Sequence, residues 1–188
     1  MLNLPNFLTL IRIVAIPFFL VLLASHLYLD ALAVFIIGGL TDALDGAVAR
    51  VMNQKTSLGT YLDPVADKLL VISSFVMLGM IGGLPSWLVV LVVSRDIIIL
   101  FGYGMLYFLV GDRPKVQATW IGKMSTFFQL FTVGVVLALL HDPKLLHPSV
   151  DEALVLMTSL TTVLSGLHYV YRGLVWLQNE LQIPSRSG

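Results

Sequence analysis

No cysteine occurs among the 188 residues, which excludes disulfide scaffolding, thiolate catalysis and cysteine metal sites at once. Charge is nearly as scarce. Asp, Glu, Lys and Arg together make up 12% of the chain, the two signs balance at 11 and 11, and hydrophobic residues reach 57%. With a mean hydropathy of +0.92, the chain is far too apolar for a soluble domain of this length, so it reads as an integral membrane protein. The balanced total says nothing about partners, whereas the placement of charge does. Alternating apolar and polar strands are missing too: the apolar runs are continuous and of helical length, which disfavours a transmembrane barrel. The first run follows a short uncharged start, lacks a small-residue cleavage site and is expected to be a retained span rather than a signal peptide. A mitochondrial transit segment is likewise absent.

What is present is a series of about six apolar segments, roughly 8–25, 31–50, 64–82, 86–110, 119–140 and 150–177, each near the ~20 residues that cross hydrocarbon as a helix. The expected fold is all-α, a single polytopic membrane domain over residues 1–188 with little chain left for a separate soluble part. Orientation follows from Lys and Arg between spans. With the amino terminus cytoplasmic, the inward side receives Arg50, Lys55, Arg113, Lys115, Lys123 and Arg186, while the outward connections near 26–30, 82–86 and 141–149 contain only Lys144. Both termini are therefore expected in the cytoplasm.

Against this apolar background, residues 42–67 hold four carboxylates at fixed spacing: Asp42, Asp45, Asp63 and Asp67. A carboxylate at bilayer depth costs about 2.5–3.5 kcal/mol or more, so four persist only if something compensates their charge. At about 100° per residue, Asp45, Ala49, Asp42, Gly46 and Arg50 fall in that angular order within a sector of roughly 140° on the second span. Asp63 and Asp67 sit one turn apart on the third. Pro64 suits a first helical turn capped by Asp63, and a helix starting nearer Gly59 and kinked at Pro64 fits equally. The short polar link lets the two helix ends lie side by side. Four close carboxylates would repel one another and raise their own pKa values, and divalent cations reverse that logic. An all-oxygen set without His or Cys favours Mg²⁺ or Mn²⁺ over zinc. Two such ions would clamp the attacking and leaving oxygens of a phosphoryl transfer, with Arg50 as a fork for phosphate. Gly46 and Ala49 leave room for a ligand, or in the plainer reading allow close helix packing.

The pattern Asp42-x-x-Asp45-Gly46-x-x-Ala49-Arg50, eight residues, Gly59-x-x-x-Asp63-x-x-x-Asp67 resembles without a gap the signature of the CDP-alcohol phosphatidyltransferase family. The opening NLPNFLTLIRI, SRDIIIL in the fourth span, WIGKMST leading the fifth and LSGLHYVYRG in the sixth extend the likeness to relatives that make anionic phospholipids. The resemblance implies transfer of a phosphatidyl group from CDP-diacylglycerol to a hydroxyl acceptor with release of CMP. It implies Asp42, Asp45, Asp63 and Asp67 as ligands of two divalent ions, with Asp67 also as general base. Gly46, Arg50, Thr56 and Asn6 would contact the CDP portion, with Ala49 and Gly59 completing the signature around it. It further implies a homodimer in a bacterial inner membrane, with no nucleic-acid partner. The site would face the cytoplasm, where a water-soluble nucleotide head reaches it while acyl chains stay in lipid.

Acceptor choice rests on the fourth span. Family members using glycerol 3-phosphate tend to carry Arg-Glu there, with a further Arg eight residues after the first. Here the pair is Arg95-Asp96 and the later position is Tyr103. With SRD and TWIGKMSTFFQL this resembles cardiolipin synthases, so phosphatidylglycerol is the expected acceptor and glycerol 3-phosphate the alternative, with Arg95, Asp96, Arg113, Lys115 and Lys123 as acceptor-side candidates. Arg95 and Asp96 also read as buried partners of each other or of Asp67, and Lys68 as a structural residue or a partner of lipid phosphate. His26, His141, His147 and His168 read as structural, and Trp87, Trp120 and Trp176 as interface anchors. An ion-coupled transporter is the rival class, disfavoured because the acids crowd one membrane edge and the two halves show no repeated pair of interrupted spans.

Overall fold

In hydrocarbon, a backbone without water must satisfy its own N–H and C=O groups, and a helix does so within one segment. The apolar runs accordingly fold as six helices: α1 (Leu4–Ala24), α2 (Tyr28–Val51), α3 (Ser57–Met80), α4 (Ser86–Val110), α5 (Trp120–His141) and α6 (Pro148–Gln182). The structure, a computed structural model, describes the backbone of residues 4–51, 57–110 and 119–182. It describes side chains for 11, 13–41, 68–102, 104–105, 119–147 and 149–178. No strand occurs among the described residues. Within them, Trp120–His141 and Ser149–Gln178 are long and apolar enough to cross a membrane, and Ile13–Ala24, Tyr28–Thr41 and Lys68–Met80 form shorter apolar helices.

Local chemistry sets several helix ends. Thr119, in extended backbone, caps α5 by accepting the Gly122 N–H on its hydroxyl at 3.1 Å, which satisfies one of the orphan donors of a first turn. Beyond α3, Gly82 takes φ +78, a left-handed conformation cheap only for glycine. The following amide, of Gly83, then returns to the Leu78 carbonyl at 2.8 Å. The start of α3 at Ser57 resolves the choice around Pro64: the helix begins nearer Gly59, so Asp63 lies inside it rather than at its cap.

Two four-helix groups share α3 and α5. One comprises α1, α2, α5 and α3; the other comprises α3, α4, α6 and α5. Cross-helix contacts give the register of the second group. Lys68 meets Asp96 and Gly79 meets Val89, so α3 and α4 run antiparallel. Ser125 meets Thr162 and Thr132 meets Thr158, so α5 and α6 do likewise. Apolar packing is concentrated toward the end bearing the 25–27, 81–85 and 142–147 connections. There Phe19 and Leu23 of α1, Ala31 and Phe35 of α2, Phe75 and Leu78 of α3, Leu88 and Val92 of α4, and Val133 and Leu137 of α5 form one buried cluster. Polar and charged side chains collect at the other end, the end that also carries residues 42–67.

Phe75 is fully buried whereas Phe131 is half exposed on the outer face of α5. Phe75→Ala is expected to destabilise the protein by about 3–5 kcal/mol and Phe131→Ala by far less, measured as unfolding in detergent micelles.

Candidate active site

Asp42, Asp45, Gly46, Ala49 and Arg50 occupy the last turns of α2, and Gly59, Asp63 and Asp67 the first turns of α3. Both helices therefore deliver two aspartates each to one end of the bundle, across a five-residue connection. Asn6 lies in the opening turn of α1. The side chains of all these residues lie outside the described residues, as do Thr56, Arg113 and Lys115 entirely. Among the described residues, no group of three or more His, Cys, Asp or Glu is placed to hold a metal ion.

Immediately after Asp67, the described side chains show what surrounds this end of α3. A cavity of about 460 Å³ is lined by Lys68 of α3, Arg95 and Ile99 of α4, Gly122, Lys123 and Thr126 of α5, and Tyr169 of α6, with Phe127 and Leu130 closing its apolar side. The centre of its charge is Asp96, fully buried. Lys68 Nζ donates to both Asp96 oxygens at 2.8 and 2.9 Å, and Arg95 Nη1 donates to Oδ1 at 2.5 Å. Arg95 Nη2 donates to Ser165 Oγ on α6, and the guanidinium carbon lies 5.7 Å from the centre of the Tyr169 ring. The buried Nε of Arg95 has no hydrogen-bond partner among the described residues. Lys123 Nζ stands 5.8 Å from the Trp120 ring centre and lines the same cavity.

One carboxylate among three cations leaves about two positive charges on the described side chains of the cavity. Arg95 and Asp96 are buried, where charge is little screened, while Lys68 is partly exposed and Lys123 exposed. Such a pocket attracts a dianion.

Of the acceptor-side candidates, the fold brings Arg95, Asp96 and Lys123 together and leaves Arg113 and Lys115 outside the described residues. The pairing of Arg95 with Asp96 is as the sequence allows. Lys68 takes the structural of its two expected uses: it bonds Asp96, because α4 presents a buried acid opposite it. Ser165 and Tyr169 were not singled out for the site. Their signal was a polar stripe on α6, Thr158, Thr162, Ser165 and Tyr169, at spacings of four, three and four, facing Gly122, Ser125, Gln129 and Thr132 on α5. Two histidines sit at turns, where His26 meets Tyr28 Oη at 2.6 Å and His147 meets Ser149 at 2.9 Å, while His141 ends α5 and His168 lies within α6. Trp87 and Trp120 are exposed, at 52% and 80%, as lipid-facing anchors require.

Comparison with known proteins bears on what such a site does. The profile of the CDP-alcohol phosphatidyltransferase family matches residues 2–164. A probable phosphatidylglycerophosphate synthase of Mycobacterium tuberculosis is 37% identical over 180 residues, spanning 92% of this chain and 82% of the relative. The CDP-diacylglycerol--glycerol-3-phosphate 3-phosphatidyltransferase of Bacillus subtilis is 33% identical over 187 residues, 90% of this chain and 94% of the relative. A protein of the same name from Haemophilus influenzae is 36% identical over 139 residues, 70% of this chain and 74% of the relative.

Removing the anion from a buried cluster of cations costs more than removing one cation. Asp96→Ala strands Arg95 and is expected to destabilise the protein by about 3–5 kcal/mol, and Lys68→Ala, whose side chain is 29% exposed, by clearly less. Thermal unfolding in micelles reads the difference.

Proposed function

The chain belongs to the CDP-alcohol phosphatidyltransferase family, and on that premise we propose that it transfers the phosphatidyl group of CDP-diacylglycerol to glycerol 3-phosphate, forming phosphatidylglycerophosphate and CMP. Family membership makes it an enzyme and removes the transporter reading. The observation carrying the acceptor assignment is the cavity of Lys68, Arg95 and Lys123 around Asp96. A phosphomonoester carries about −1.5 to −2 near neutrality, which the residual charge of the cavity matches, whereas the phosphodiester of phosphatidylglycerol carries a single charge. The volume of the cavity is that of a small-molecule site. The names of the relatives favour the same acceptor. Phosphatidylglycerol, the acceptor expected from Tyr103, therefore gives way. That expectation weighed Tyr103 with the SRD and TWIGKMSTFFQL stretches, while the cations gather from three helices.

In this reading Asp42, Asp45, Asp63 and Asp67 hold two Mg²⁺ or Mn²⁺ ions, which when bound supply charge neutralisation at the donor's pyrophosphate. Gly46, Arg50, Thr56 and Asn6 bind the CDP portion, and Ala49 and Gly59 leave it room. Arg95, Lys68 and Lys123 hold the acceptor phosphate, so that the far hydroxyl reaches the donor. Asp67, one residue before Lys68, accepts the hydroxyl proton. The hydroxyl oxygen bonds to the phosphorus bearing diacylglycerol, the bond from that phosphorus to the pyrophosphate bridge breaks, and CMP leaves with the electron pair. Fixing both reactants by charge supplies orientation. The distribution of Lys and Arg supports a cytoplasm-facing site in a bacterial inner membrane, with six spans and both termini inside, and the family likeness supports a homodimer.

CMP release from purified enzyme, CDP-diacylglycerol and Mg²⁺ is expected with glycerol 3-phosphate and not with phosphatidylglycerol. Chelation by EDTA abolishes it and Mn²⁺ or Mg²⁺ restores it. Asp67→Asn is expected to lower turnover by about 10²-fold or more with donor binding retained. Release with phosphatidylglycerol alone would refute the acceptor assignment, and equal loss of donor binding in Asp67→Asn would refute its role as base.

A further inference from the structure

Arg95 is held from every side but one. Its Nη1 donates to Asp96 and its Nη2 to Ser165, so both tips of the fork are engaged. Its guanidinium lies by the face of Tyr169, where a cation is attracted to the ring. Gly166 brings the α6 backbone to the Arg95 stem, since a Cβ there would stand 3.4 Å from Arg95 Cγ. What remains is Nε, buried, without a partner among the described residues, on a residue that lines the cavity.

Tyr169 is itself fixed. Its hydroxyl accepts the Thr119 N–H at 3.4 Å, at the cap of α5, and its ring packs closely over Gly122. A Cβ on Gly122 would come within 3.0 Å of Tyr169 Cε2 and Oη. The last helix thus touches α4 through Ser165 and Tyr169 and touches α5 through Tyr169, at the one place where both face the cavity.

Resting on the acceptor reading above, we propose that Ser165 and Tyr169 of α6 are positioning residues for the acceptor: they hold Arg95 so that its guanidinium stays fixed at the cavity wall as a cation for the acceptor's phosphate. Their contribution is preorganisation, because a guanidinium already locked at three points loses no freedom when phosphate arrives. The consequence is a specificity of effect. Loosening α6 weakens acceptor binding and spares the nucleotide half of the reaction.

The test is steady-state kinetics in mixed micelles on wild type, Ser165→Ala, Tyr169→Phe and Tyr169→Leu, varying glycerol 3-phosphate at saturating CDP-diacylglycerol and the reverse. Thermal unfolding is measured in parallel. Tyr169→Leu and Ser165→Ala are expected to raise KM for glycerol 3-phosphate about tenfold, with KM for CDP-diacylglycerol nearly unchanged. Tyr169→Phe keeps the ring face and is expected to stay within about threefold of wild type. An unchanged acceptor KM in Tyr169→Leu and Ser165→Ala, or an equal rise in both KM values, overturns the proposal. So does a loss in Tyr169→Phe as large as in Tyr169→Leu, which would make the hydroxyl and not the ring decisive. If Tyr169→Leu fails to fold, Ser165→Ala decides alone. Wild type that consumed phosphatidylglycerol and not glycerol 3-phosphate would sink the acceptor reading itself, a result seen before any variant is compared.

Discussion

A single buried carboxylate, Asp96, organises the polar end of this bundle. It is the one described anion that meets both Lys68 of α3 and Arg95 of α4, and it does so where water is largely excluded. Two charges taken out of water are stabilised only when geometry and further hydrogen bonds compensate their lost hydration. The bidentate contact from Lys68 and the Ser165 contact to Arg95 provide that. Because one anion serves more than one cation, the cluster keeps a positive excess, and this excess makes the neighbouring cavity attractive to a doubly charged phosphate. The same residues that tie α3 to α4 therefore create the electrostatic reason for the site.

The two ends of the molecule divide the work. Toward one end, Phe19, Phe75, Leu78, Leu88 and Leu137 pack with no exposed surface, and close packing of this kind holds helix positions to small tolerances. Toward the other, α5 and α6 are joined by hydroxyls and an amide: Ser125 with Thr162, Thr132 with Thr158, and Gln129 between them. Between helices in lipid, where burial of apolar surface gives little drive to associate, such hydrogen bonds and small side chains supply the attraction. Gln129 Oε1 is left without a partner among the described residues, a cost borne in the same interface that places Tyr169 beside the cavity.

Much of this was legible in the chain. Continuous apolar runs give helices, so the six segments appear close to their observed bounds, and the four aspartates stand out because nothing apolar explains them. Placing Lys68 required the fold. Its neighbour in sequence is Asp67, but its partner is Asp96, 28 positions on, and helical spacing within one span carries no information about which acid another span presents. Ser165 and Tyr169 were similarly hidden: a polar residue on an apolar helix reads as packing until its facing helix is known. The names of the relatives favour glycerol 3-phosphate over the expected phosphatidylglycerol. Tyr103, SRD and TWIGKMSTFFQL each speak for one stretch of α4 or α5, whereas a pocket gathered from α3, α4 and α5 is legible only once the helices are packed.

The account stands on the claim that this cavity receives the acceptor's phosphate next to the aspartate-bearing ends of α2 and α3. An experimental structure of the protein with glycerol 3-phosphate and Mn²⁺, the metal located by its anomalous scattering, tests it directly. The account predicts phosphate oxygen within reach of the Arg95 guanidinium and Lys123 Nζ, with manganese among Asp42, Asp45, Asp63 and Asp67. Phosphate bound away from Arg95, or manganese absent from those carboxylates, would contradict it.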